Sequence, residues 1–234
     1  MPLFWLMLSL MLAGGGVYAG IYFEKNTIIQ EVRFEGNSFM NDSTLVSKIE
    51  SPVGLLADSV HYSGLFESIK TLPYVKDVSM NMNFRGTLTL IIEEREPIAM
   101  LIHNGNRMYV GEGGIKLPVI PGNIRNVPLL YGFPVNPVSD TLSSNEYRQI
   151  EEFLTEAKIN ELGWITISEV AWNDLDGVVA LTNENGVKLI FGRDDFRDKI
   201  KNWEAFYTNV VSEKGIQAFS NVDLRFEGQI VTRD

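Results

Sequence analysis

The chain of 234 residues contains no cysteine and only two histidines, His61 and His103. The first absence excludes a disulfide framework, a thiolate zinc site and a cysteine nucleophile. The second leaves little for imidazole-based metal binding or a histidine-dependent triad. Positive charge is also short: 20 Lys plus Arg stand against 30 Asp plus Glu, for a net charge of −10. A nucleic-acid-binding surface needs clustered cations to neutralise phosphates, and so does electrostatic adhesion to an anionic bilayer. Motifs that carry chemistry are missing as well. Gly111, Gly113 and Gly114 form no GxGxxG, no GK[ST] follows them, and there is no G-x-S-x-G. The segment Trp172–Gly177 invites a calcium-loop reading, but Gly177 at the sixth position puts Trp172 first and Asn183 twelfth, where Asp and Glu are required. Among Glu93, Glu94 and Glu96 only the last two would share a face of a strand, so they read as an exposed strand end rather than paired catalytic acids. The composition points to a binding protein, not an enzyme, with no cofactor and no metal.

The first residues lack charge altogether. Pro2–Phe23 is an uncharged, mostly apolar run, so the whole net charge falls on Glu24 onward. As a helix with about 1.5 Å rise per residue it would span about 33 Å, enough for a hydrocarbon core of roughly 30 Å. Trp5 near one end, with Tyr18, Tyr22 and Phe23 near the other, suits interfacial aromatics. A cleaved signal peptide is the rival reading, since Val17-Tyr18-Ala19 offers small residues at a cleavage position. Against it, the apolar run continues through Phe23 and no basic n-region precedes it. The expectation is a retained single-pass anchor over 1–24, with the rest of the chain exported.

Length allows one or two domains beyond the anchor. Residues 27–97 carry a compact pattern. Ile28–Phe34 reads as a strand with Ile28, Gln30, Val32 and Phe34 on one face, and Asn41 or Asp42 caps a short helix. A second helix presents Leu65, Phe66, Ile69 and Leu72 and stops at Pro73. Val78, Met80, Met82 and Phe84 then alternate with polar residues, and Arg85-Gly86 turns into Thr87–Glu93. The expected order is β-α-α-β-β, with two helices on one face of three strands. Residues 98–234 read as mostly β with two flanking helices. Asn104-Gly105 and Asn185-Gly186 mark hairpins. Ser143 with Glu146 resembles a capping box before a helix that presents Tyr147, Ile150, Phe153, Leu154 and Ala157. Strands are expected over Ile165–Trp172, Val178–Thr182 and Val187–Phe191. A helix follows from about Asp194 or Asp195, with Phe196, Ile200, Trp203 and Phe206 (or Tyr207) inward and Gly215 as its C-cap. The chain should finish as a hairpin, Val222–Phe226 and Gln229–Arg233 around Glu227-Gly228. If Gln229–Arg233 lies at a sheet edge, its outer row of N–H and C=O groups is a template for another chain's strand. The candidate partner-binding residues are therefore Arg225, Phe226, Gln229, Ile230, Val231 and Thr232. One of Ile230 and Val231 must face away from a partner and into the core if the strand is regular.

Several segments carry a family likeness: Ile29-Gln30-Glu31-Val32-Arg33-Phe34-Glu35-Gly36-Asn37, Leu72–Val78, Glu93–Pro97, Leu129–Gly132, Gly186–Arg193 with Lys199, and Val222–Phe226. In this order and spacing they resemble the FtsQ/DivIB bacterial cell-division family, with 27–97 similar to a POTRA domain. Phe226 stands where the resemblance leads one to expect Tyr. The likeness implies an α+β protein in the inner (cytoplasmic) membrane with its bulk on the periplasmic side. It further implies a non-enzymatic divisome scaffold for septum formation. Partners would be a membrane-proximal FtsB–FtsL type coiled-coil pair at the C-terminal β domain and other division proteins at the POTRA domain. The alternative is a POTRA-containing envelope protein of an export or outer-membrane assembly system, which should show tandem POTRA units or a C-terminal run of ten-residue amphipathic strands.

Overall fold

The computed structural model describes residues 4–7, 9–15 and 27–233. They fall into two compact units, one ending at Arg95 and one beginning at Glu96. In the apolar N-terminal run, residues 4–7 and 9–15 are helical, and side chains such as Trp5, Leu10 and Met11 are exposed. No helix among the described residues is long and apolar enough to cross a membrane. Residues 1–3, 8 and 16–24 of the expected anchor lie outside the described residues.

The first unit runs β1 (Glu31–Glu35), α1 (Asp42–Val46), α2 (Tyr62–Lys70), β2 (Val75–Met82) and β3 (Thr87–Glu94). β3 is central, antiparallel to its hairpin partner β2 and parallel to β1. Its alternation decides which face is covered. Leu88, Leu90 and Ile92 are buried, in register with Val32 and Phe34 of β1 and Val78 of β2, while Leu45, Leu65 and Ile69 are the buried residues of the two helices. Asn41 is the N-cap of α1, its side chain accepting the Thr44 N–H at 2.9 Å.

β1 departs from the expected strand. It begins at Glu31, and Ile29 is buried where Ile28 was expected inward. The reason is a local ribbon: the Ile29 N–H donates to the Leu55 carbonyl at 2.9 Å, and the Ile29 carbonyl accepts the Gly54 N–H at 2.8 Å. Residues 28–29 thus pair with 54–56, while Gln30 donates its N–H to the Gly86 carbonyl at 2.8 Å just ahead of the β1–β3 ladder.

At the charged end of β3, Glu93 is exposed as expected, but Glu94 and Arg95 are half-buried and form an internal latch. Glu94 accepts the backbone N–H groups of Ser38 and Phe39 at 2.7 Å and of Met40 at 2.9 Å. The Arg95 guanidinium donates to the carbonyls of Pro73 and Val75, and its backbone N–H to Tyr74 at 2.7 Å. Tyr74 stacks on Phe39 with ring centroids 4.9 Å apart. Gly36, at φ +84°, lets the chain pass so close to β3 that a Cβ there would sit 2.3 Å from the Ile92 carbonyl oxygen. The segments 36–40, 72–75 and 92–95 therefore meet in space, and Glu94 is committed to backbone donors.

The second unit is one mixed nine-stranded sheet with helices packed on it. Its strands are β4 (Pro97–His103), β5 (Asn106–Gly111), β6 (Lys116–Pro118), β7 (Leu129–Tyr131), β8 (Ile167–Asn173), β9 (Gly177–Thr182), β10 (Lys188–Gly192), β11 (Asn221–Asp223) and β12 (Val231–Arg233). Their spatial order is β12-β11-β10-β9-β8-β7-β4-β5-β6. The register lines up one continuous row, Thr232–Val222–Leu189–Ala180–Val170–Leu130–Leu101–Met108. From Val222 to Leu101 every member is buried, in one core with Ile150, Phe153 and Leu154 of α3 (Asn145–Ile159) and Phe196, Ile200 and Trp203 of α5 (Phe196–Phe206). Burying a large aliphatic side chain contributes about 1.5–3 kcal/mol, so this row and the helices on it are the main adhesive of the unit.

The Asn104-Gly105 and Asn185-Gly186 turns form as expected, with positive φ at both residues of each pair. Three local expectations shift. The cap of α3 is Ser144, not Ser143, with its hydroxyl accepting the Tyr147 N–H at 3.1 Å. Ile165 ends a short helix, α4 (Glu161–Ile165), capped by the Asn160 side chain, so β8 starts at Ile167. Leu129–Tyr131 enters between β4 and β8, parallel to both. Gly215 ends the last helical turns, its N–H donating to the Val211 carbonyl at 2.8 Å.

Candidate functional site

β12 lies at one end of the nine-stranded sheet and pairs with β11 alone, Asn221 opposite Arg233, Val222 opposite Thr232 and Asp223 opposite Val231. β11 in turn is parallel to β10. An antiparallel strand with one neighbour turns alternate N–H and C=O groups outward, so among the described residues this edge is open.

The expected hairpin is shortened. Regular pairing covers Val231–Arg233 rather than Gln229–Arg233, and the connection is the loop 224–230. Leu224 keeps the chain in the sheet direction, donating its N–H to the Ile190 carbonyl at 2.9 Å. The chain then leaves at Arg225, so Gln229 and Ile230 stand in the loop. Ile230 is half-buried and packs on the core, whereas Val231 is 42% exposed. The two side chains diverge as adjacent residues of an extended segment must. Phe226 is 44% exposed, Gln229 is exposed, and Thr232 is half-buried opposite Val222.

Arg225 is used within the chain. Its Nε and Nη2 donate to the two Asp223 carboxylate oxygens at 2.9 and 2.6 Å, and its Nη1 to Asp176 at 3.1 Å. Lys188 reaches the other Asp176 oxygen at 2.7 Å. This network ties the β8–β9 turn to the loop that delivers β12. Burial alone would raise the Asp223 carboxyl, but hydrogen bonds from the Arg225 side chain and backbone N–H, with the Arg225 and Lys188 charges, more than offset it and hold its pKa below the ordinary value. The hydrogen bond to Asp223 raises that of Arg225.

Asp176, Lys188 and Asp223 are contributors left out of the candidate binding residues, although Lys188 and Asp223 fall in segments singled out for family likeness. Asp176 lies in the segment rejected as a calcium loop, and nothing in its neighbourhood along the chain marks a partner 49 residues away. Of the segments singled out for family likeness, Gly186–Arg193 and Val222–Phe226 form adjacent strands, β10 and β11, with their flanks. Lys199 is buried beside them and donates to the Asp194 carbonyl and carboxylate at 2.6 and 2.7 Å. His61 is exposed and His103 half-buried at a strand end. No cluster of His, Asp or Glu among the described residues could hold a metal ion. The arrangement offers backbone donors and acceptors flanked by exposed Phe226 and Val231, which is equipment for binding an extended peptide.

The family model described as FtsQ/DivIB, C-terminal related, matches residues 96–233, the unit that carries this edge. The curated cell division protein FtsQ of Rhodothermus marinus is 30% identical over 175 residues, covering 69% of this chain and 61% of that protein. Its counterpart in Salinibacter ruber is 24% identical over 172 residues, covering 69% and 65%. The chain thus spans a little under two thirds of the length of these relatives. Among solved structures, the major extracytoplasmic domain of the cell division protein DivIB from Geobacillus stearothermophilus aligns at 17% identity and TM-score 0.35, over 53% of this chain and 98% of that one.

Proposed function

This chain belongs to the FtsQ/DivIB family, and from that premise we propose that it is a non-enzymatic scaffold of the bacterial divisome that recruits partners by strand addition at β12. In this reading residues 1–24 anchor it as a single pass in the inner membrane, 27–97 form a POTRA domain and 98–234 a β domain, both on the periplasmic side. The partner at β12 is the membrane-proximal segment of an FtsB–FtsL type coiled-coil pair, and other division proteins bind the POTRA domain.

The observation that carries the proposal is an edge strand paired on one side only, beside two exposed apolar side chains. Magnitudes assign the roles. A three-residue strand offers two or three intermolecular hydrogen bonds at about 0.5–1.5 kcal/mol net each. Micromolar affinity takes about 8 kcal/mol, so backbone pairing sets register and direction while apolar anchors supply most of the affinity. Phe226 and Val231 are those anchors. Gln229 and Thr232 flank them, Ile230 holds the loop to the core, and Arg225 holds the loop in position.

The test is a pair of proline variants, Val231→Pro and Thr232→Pro, in co-purification with the partner pair. Successive N–H groups point to opposite sides of a strand, so one variant strikes the outward row and the other the β11 pairing. Loss of the partner in the variant that keeps the thermal transition of the wild type supports strand addition. Wild-type binding by both variants rejects it. Mid-cell placement of a fluorescent fusion tests the divisome assignment separately.

A further inference from the structure

A second exposed feature lies in the first unit, at the ribbon that displaced the start of β1. Residues 51–57, Ser-Pro-Val-Gly-Leu-Leu-Ala, carry no charge and are bracketed by Glu50 and Asp58. The Leu55 N–H donates to the Pro52 carbonyl at 3.1 Å with Gly54 at φ +88°, a tight turn with glycine where a left-handed residue is needed. Its tip is apolar, whereas the hairpin turns at Asn104-Gly105 and Asn185-Gly186 are polar. Ile28 faces Leu56 across an antiparallel bridge, so those side chains share one face of the ribbon, while Leu55, one residue away and opposite Ile29, points to the other face and Val53 stands at the tip. All four are about half exposed, Leu55 at 50%. The turn thus displays apolar side chains at its tip and on both faces, the kind of exposed apolar surface that often marks an interaction site.

The place of this patch along the chain identifies what covers it. Only residues 24–26 separate the apolar run ending at Phe23 from the first described residue of the unit, Thr27. Fully extended, that connection reaches about 14 Å. If the apolar run enters a bilayer, Ile28 and the turn paired to it are confined next to the lipid surface. We infer that Ile28, Val53, Leu55 and Leu56 form an interfacial lipid contact that seats the first exported unit on the membrane. The inference rests on the anchor reading for residues 1–24. Because the segment is uncharged and the exported chain is acidic, the contact is apolar insertion at the headgroup–acyl boundary and not attraction to anionic lipid.

The chain has no native cysteine, so single-cysteine variants report each position cleanly. The full chain is reconstituted in nanodiscs of phosphatidylethanolamine and phosphatidylglycerol with a polarity-sensitive fluorophore at Leu55→Cys, Val53→Cys, Ser79→Cys or Leu10→Cys. Quenching is read from spin-labelled lipid and from aqueous acrylamide. The expected result is lipid quenching at positions 53 and 55 several-fold above that at 79, unchanged by salt or by the phosphatidylglycerol fraction. If position 10 is quenched by lipid and positions 53 and 55 are no more quenched than 79, the seating contact is rejected while the anchor stands. If position 10 is not quenched, the anchor reading falls and the contact with it. Protection of positions 53 and 55 from acrylamide without lipid quenching means that protein covers the patch, which also overturns the inference.

Discussion

The nine-stranded sheet has two ends, and they are finished differently. At the β6 end, Lys116 donates its backbone N–H to the Asp140 carbonyl at 2.9 Å, and its Nζ grips the carbonyls of Asn136 and Ser139, both at 2.6 Å. Ile115 bridges Thr141, and Pro118 closes the strand with a residue that has no N–H to offer. Segment 136–141 thus covers that edge. At the β12 end no described segment lies alongside, and the strand is held from behind by the Arg225–Asp223 pair. Unpaired edges invite unwanted strand pairing, and folds suppress them by covering, proline or brevity. Both end strands are only three residues long; the β6 end adds covering and proline, and the β12 end has brevity alone. A three-residue strand is too short to seed runaway pairing, yet long enough to register a single partner.

That contrast can be broken from either side. The largest effect is expected from proline at β12: whichever of Val231→Pro and Thr232→Pro strikes the outward row should weaken partner binding at least tenfold in calorimetric titration. Next comes the support behind the strand. Asp223→Ala leaves the Arg225 guanidinium without its bidentate partner and should destabilise the second unit by about 1–2 kcal/mol in urea unfolding, less than for a fully buried pair because Arg225 is partly solvated.

The same pair sets a pH dependence. The Asp223 carboxyl is depressed in the folded state, so its contribution is complete above the unfolded value near 4 and is lost as pH falls through the lower folded value. The urea midpoint of the wild type should therefore drop between pH 5 and pH 2 more than that of Asp223→Asn. Phe226→Ala should cost about 1 kcal/mol or more of partner affinity while leaving the unfolding midpoint unchanged, because the ring is nearly half exposed. Smallest is Lys116→Ala at the covered edge, expected to change stability by a few tenths of a kcal/mol and partner affinity not at all. Faster proteolysis within 136–141 would report the loosened cover.

Legibility differed by type of interaction. Both Asn-Gly hairpins and the inward faces of α3 and α5 could be read from the chain because turn chemistry and helical periodicity are local. The position of β7 could not. Parallel pairing joins strands far apart in sequence and leaves no turn signature, so Leu129–Tyr131 stood out only as a segment of family likeness and not as a strand between β4 and β8. Ile165 was drawn toward a strand by its β-branched neighbours, but Asn160 caps a helical turn ahead of it. The end of the chain shows both outcomes at once. The edge residues were visible as a β-rich pattern, whereas the early exit at Arg225 follows from Asp176 and Asp223, which no pattern along the chain brings together.

The sequence by itself determined the lack of cysteine, the uncharged N-terminal run, the alternation of the strands and the family likeness, because composition and short-range periodicity are properties of neighbours in the chain. Tertiary structure alone decided which strands are outermost, that one edge is covered and the other open, and that Glu94 and Arg225 are latches. An edge is the place where pairing stops, and where pairing stops is settled by contacts among segments tens of residues apart.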